Sequence, residues 1–212
     1  MMVIFLSRDQ ILSIRNGADA LIRQFLSLFG IWGIYFLSIA FIIGFTFAFL
    51  GQKKKWSFTS VRGDYLLWML LEGTVWGIVL YIVLTFLPML LMFPSGKDLV
   101  QQIVLAIGAG LYEEFLFRVI LINTGVILLR AIFQWSRIWC LFIAVIISAG
   151  IFSSFHFFGA FGEPFDINTF SYRFFAGILL GTLYVTRGFG ITAYAHMIYD
   201  FIVVFHMTTL NT

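Results

Sequence analysis

Long apolar runs, broken by short polar or basic stretches, set the pattern of this chain. Six of them reach or nearly reach the roughly 20 residues a helix needs to cross a bilayer, where lipid offers no partner to an unpaired backbone group. They fall near 25–50, 65–93, 99–129, 139–162, 170–187 and 189–210. The pattern predicts an all-α, polytopic membrane protein of about six transmembrane helices. Between the last two runs, RGFG at 187–190 leaves room only for a tight turn. Ahead of them, residues 1–24 scatter Arg8, Asp9, Arg15, Asp19 and Arg23 among apolar positions, unlike the unbroken apolar core of a cleaved signal peptide. A short amphipathic helix lying in the membrane interface fits that spacing.

Composition agrees: 61% of the 212 residues are hydrophobic and 11% charged, against about a quarter charged in soluble domains. Too few charges exist to coat a soluble surface, so lipid must cover it. The net charge of +3 does not indicate nucleic acid, because the basic residues sit between apolar runs and form no stripe or tail. Lys53, Lys54, Lys55 and Arg62 occupy one loop and Arg130 and Arg137 another on the same face, while Glu163 and Asp166 lie opposite. The positive-inside rule makes the basic loops cytoplasmic, in a cell membrane if the chain is bacterial. Cys140, the single cysteine, lies in an apolar run and reads as packing. No repeat or linker divides the chain, so residues 1–212 form one membrane domain.

The third run contains YEEFLFR, which sets Glu113, Glu114 and Arg118 near its middle. A charge at mid-bilayer costs on the order of 3 kcal/mol on insertion scales, so such residues face a cavity and have partners. Glu114 and Arg118 stand four apart, with the glutamate N-terminal, the favourable order for an ion pair along one helix face. Adjacent residues of an α-helix point about 100° apart, so Glu113 and Glu114 are not expected to share one narrow site. That division leaves Glu113 facing a polar cavity inside the bundle, as a general base would.

Two later runs carry FSSFH at 152–156 and HMIYD at 196–200. His196 and Asp200 are four apart and share a face, an arrangement used either to bind a metal or to aim two groups at one substrate atom. Counted along the helices from the cytoplasmic ends, Glu113 and His156 fall roughly 25 Å deep, Asp200 about 18 Å and His196 about 12 Å, close enough to meet. Glu72 is expected to accept a bond from Arg118 or to snorkel toward the interface. His206 should face away from His196, and Asn123 should join helices.

Glu-Glu-x-x-x-Arg at 113–118, Phe-x-x-x-His at 152–156 and His-x-x-x-Asp at 196–200, in that order on successive apolar helices, resemble the CAAX prenyl protease and bacteriocin-processing (CPBP, or Abi) family of intramembrane endopeptidases. The likeness covers roughly 100–205. It implies that Glu113, with His156, activates water against a peptide carbonyl, that His196 and Asp200 bind the oxyanion, and that Glu114 and Arg118 support the site. The family commonly has Asn where Asp200 stands. Asn donates to an oxyanion at any pH, whereas Asp must be protonated or orient His196 instead. Two histidines with two carboxylates (Glu113, His156, His196, Asp200) also offer zinc a ligand set, although HExxH is missing. The expected mechanism is glutamate-activated water with no committed metal.

The leading expectation is therefore an endopeptidase acting on a membrane-associated protein or peptide, with or without a lipid tail. A non-catalytic scaffold of the same family, binding and regulating a membrane partner through the same cavity, is the alternative.

Overall fold

The computed structural model describes residues 63–86, 106–158 and 163–210, with single positions at 39, 42, 43, 46, 50 and 103. Five helices result: α1 (Gly63–Thr85), α2 (Ala106–Phe133), α3 (Arg137–Phe155), α4 (Ile167–Arg187) and α5 (Phe189–Leu210), with no strand among the described residues. The segment 1–24 lies outside the described residues, and the run near 25–50 is described at only five positions, each helical.

Four helices, α1, α2, α3 and α5, are long and apolar enough to cross a membrane. The chain is an integral, multi-pass membrane protein. The fifth, α4, departs from the expected spans: Asn168, Thr169, Ser171, Arg173, Thr182 and Thr186 make it the most polar of the set. Asp166 caps it, Oδ2 accepting from the Thr169 backbone N–H at 2.8 Å and from the Thr169 hydroxyl at 2.9 Å. These donors, the backbone one first, hold the Asp166 carboxyl below the usual carboxylate range. Gly188, at φ 86°, then turns the chain directly into α5, a left-handed geometry that favours glycine.

Helix α1 shows how the bundle closes. Leu66, Trp68, Val75 and Ile82 are exposed, as lipid-facing residues should be, while Gly73, Gly77, Leu80 and Leu84 turn inward at helical spacing. The two glycines sit four apart and let α1 approach α5 closely, the small-residue packing on which membrane helices rely. A Cβ on Gly77 would lie 2.8 Å from Ile198 Cβ and 2.9 Å from the Ala195 carbonyl. Gly77→Ala should therefore force the helices apart and destabilise the bundle by about 1–3 kcal/mol, read by unfolding in detergent micelles. Beyond this seam Leu80 and Leu84 pack with Tyr172, Leu180, Tyr199 and Val203 in a core shared by α1, α4 and α5.

Helix α2 is not a regular α-helix. It carries π-helical turns over Ala109–Glu113 and Phe115–Ile122 before settling into α-helix from Asn123. Turns of this kind are rare and usually single. They are supported from outside: the Ser148 hydroxyl on α3 donates to the Phe117 carbonyl at 2.6 Å. Asn123 Nδ2 donates both to the Val119 carbonyl at 2.6 Å and, across to α4, to the Tyr184 hydroxyl at 2.7 Å.

Candidate active site

The π-helical stretch of α2 holds Glu113, Glu114 and Arg118, and all three are buried, Glu114 at 0% exposure and Glu113 at 4%. Both glutamates are thus buried in the bundle, Glu114 against His196 and Arg118, and Glu113 within electrostatic reach of the same two groups.

Glu114 is the hub. Its Oε1 accepts from His196 Nδ1 on α5 at 2.8 Å, and its Oε2 lies 3.0 Å from Arg118 Nε one turn along. The second contact is close but poorly aligned as a hydrogen bond, and the Arg118 guanidinium finds no hydrogen-bond acceptor among the described residues. It is held instead by charge and by stacking, with its Cζ 4.7 Å above the Phe152 ring. Phe152 is the first residue of Phe-x-x-x-His, so this motif supplies the wall on which the arginine rests. The same ring also meets His156, the two rings lying edge-on with their centres 5.2 Å apart.

His156 follows the last residue of α3, and its Nδ1 donates to the Phe152 carbonyl at 3.0 Å. A carbonyl can only accept, so Nδ1 carries the proton and the neutral ring keeps its lone pair on Nε2. His196 uses its second nitrogen toward Asp200, with Nε2 3.7 Å from Oδ2. Glu113 lies within electrostatic reach of Arg118, His196 and Asp200, and His156 within reach of His196. Glu114, Arg118, His196 and Asp200 are therefore one connected cluster with Glu113 beside it, and His156 flanks it next to Phe152.

Among the described residues no three His, Cys, Asp or Glu side chains gather closely enough to hold a metal ion. The zinc ligand set of Glu113, His156, His196 and Asp200 does not assemble as these side chains are arranged. These residues do not fit a metal centre.

Contacts correct the expectation for Glu72 and agree with those for His206 and Cys140. Glu72 bonds to Arg187 at the end of α4 and accepts from Trp76 Nε1 at 3.4 Å, so its cation is Arg187 and not Arg118. His206 Nδ1 lies 2.9 Å from the Tyr81 hydroxyl, away from the cluster. Cys140 is fully buried packing. Three features had no signal in the sequence. The Tyr172 and Tyr199 hydroxyls meet at 2.5 Å next to Asp200, Ser153 donates to the Phe170 carbonyl at 2.6 Å and ties α3 to α4, and Arg173 pairs with Glu163 at 2.9 Å beside His156.

Known proteins supply the remaining comparison. A family model described as Type II CAAX prenyl endopeptidase Rce1-like matches residues 95–202, a span holding every residue of the cluster. No curated protein and no solved structure gives a significant match. The matched span is just over half of the chain, and on that ground the protein belongs to the Rce1-like family, a family of membrane-embedded CAAX-type proteases.

Proposed function

We propose that the chain is an intramembrane endopeptidase that hydrolyses a peptide bond of a membrane-associated protein or peptide, using water activated by Glu113 and His156. The observation that carries this reading is the buried chain Arg118–Glu114–His196–Asp200, with Glu113 at its edge: five ionisable groups in an otherwise apolar bundle. Structure alone asks for at most an ion pair there, whereas bond hydrolysis asks for a base, a donor to the oxyanion and a support that fixes them.

In this mechanism the Glu113 carboxylate takes a proton from water as the hydroxide oxygen attacks the carbonyl carbon. His156 contributes the lone pair of Nε2 toward the same water. The electron pair moves to the carbonyl oxygen, and His196 Nε2–H faces that oxyanion when the ring carries both protons, Nδ1 being held by Glu114. Asp200 either donates as a neutral acid or orients His196. Collapse of the tetrahedral intermediate breaks the C–N bond, and the proton taken from water passes to the leaving amine.

The test is proteolysis by the full-length protein in detergent against a library of quenched fluorescent peptides, with and without lipid tails. Cleavage should survive chelator and disappear in His156→Ala. Loss on chelation would overturn the metal-free mechanism. Wild-type protein that binds a membrane partner but cleaves nothing would instead identify a scaffold.

A further inference from the structure

His156 stands at a weak point of the fold. Helix α3 ends at Phe155, and the His156 amide reaches back only within the last turn, its bond to the Ser153 carbonyl being 3.3 Å long. Helix termini open at the low end of the free-energy scale, so a catalytic ring placed there needs an external hold. The chain supplies one by folding back: the Glu163 amide donates to the His156 carbonyl at 3.0 Å. The Glu163 carboxylate is held in turn by Arg173 of α4: Nη2 donates to Oε1 at 3.0 Å, and Nη1 lies 2.9 Å from Oε2 as an ion-pair contact without the alignment of a second hydrogen bond. The same guanidinium covers the Phe157 ring at 5.6 Å. Both neighbours of the His156 backbone are thus fastened to one arginine, whose helix is itself tied to α3 by the bond from Ser153.

We infer that Arg173 and Glu163 form a positioning clip that fixes the His156 ring against the site, a role that rests on the proposed proteolysis but is separable from it. A pair as open as this one, with Glu163 44% exposed, contributes little to global stability. Misplacing a reacting group by about 1 Å, by contrast, can cost ~10²-fold in rate. The clip should therefore show itself in turnover far more than in folding.

The experiment uses full-length protein in detergent and the variants Arg173→Gln, Arg173→Lys and the exchange Arg173→Glu with Glu163→Arg. Turnover by Arg173→Gln should fall about 10- to 100-fold with KM and the unfolding midpoint nearly unchanged, Arg173→Lys should lie between, and the exchange should recover most of the loss. A readout independent of cleavage comes from ¹⁵N-histidine NMR, made tractable by only three histidines in the chain. In wild type the His156 signal should report a single ring form protonated at Nδ1, and in Arg173→Gln an average of forms. If the His156 signal is the same in both, the clip is overturned. If it changes although no peptide is cleaved by wild type, the clip stands and the protease reading falls.

Discussion

Glu113→Gln should reduce peptide turnover by roughly 10²–10⁴-fold while the protein purifies, folds and melts as wild type. Gln keeps the size and hydrogen-bonding reach of Glu but cannot take a proton from water. The side chain is buried at 4% exposure beside Arg118, His196 and Asp200, so no bulk solvent stands ready to replace it as base. The comparison that gives the number meaning is Glu114→Gln. Glu114 meets His196 and Arg118 directly, so its loss should lower activity and stability together, whereas Glu113→Gln, which keeps the hydrogen-bonding reach of the side chain, should lower activity far more than stability. Equal turnover by wild type and Glu113→Gln would remove Glu113 from the chemistry.

Arg118→Met should destabilise the protein by about 3–5 kcal/mol, the range measured when one partner of a buried ion pair is removed. Arg118 and Glu114 are among the most deeply buried side chains in the described residues. Without the guanidinium the Glu114 carboxylate would keep only its bond to His196 and would sit as a poorly matched charge in an apolar bundle. The double variant Arg118→Met with Glu114→Gln removes both charges and should recover more than half of the lost stability without recovering turnover. Unfolding followed by tryptophan fluorescence in detergent reads both variants. A neutral Arg118→Met would mean that the guanidinium is solvated in solution and that the ion pair supports nothing.

Much of this was readable before any coordinates, because charge inside an apolar run is expensive and therefore informative. That rule singled out Glu113, Glu114 and Arg118, then His156, His196 and Asp200, and the hydropathy of α1, α2, α3 and α5 follows directly from composition. The π-helical form of α2 was not readable. It depends on acceptors such as the Phe117 carbonyl being satisfied by Ser148 of another helix, and the local run Phe115–Ile122 looks like any apolar α-helix. The partner of Glu72 was misjudged because the choice between Arg118 and Arg187 is made by how α1 and α4 meet, which neither segment encodes alone. The pairs Tyr172–Tyr199 and Arg173–Glu163 escaped for the same reason, each side chain being ordinary until the fold brings it to its partner.

Helix α4 carries a consequence for how the protein is made. Its polar residues keep it off the set of helices apolar enough to cross a membrane by themselves, yet its inner face of Tyr172, Ala176, Leu180 and Leu183 is sealed by α1 and α5. The Gly188 turn couples it to α5 without a spacer, and the Glu72–Arg187 pair waits for it on α1. During synthesis α4 can pack at first on α3, through Gly177 against Ala149 and the bond from Ser153 to the Phe170 carbonyl. The face made by Tyr172, Leu180 and Leu183 stays open until α5 follows and closes it together with α1. The His196–Asp200 half of the site can therefore assemble only once α4 and α5 have come together against α1.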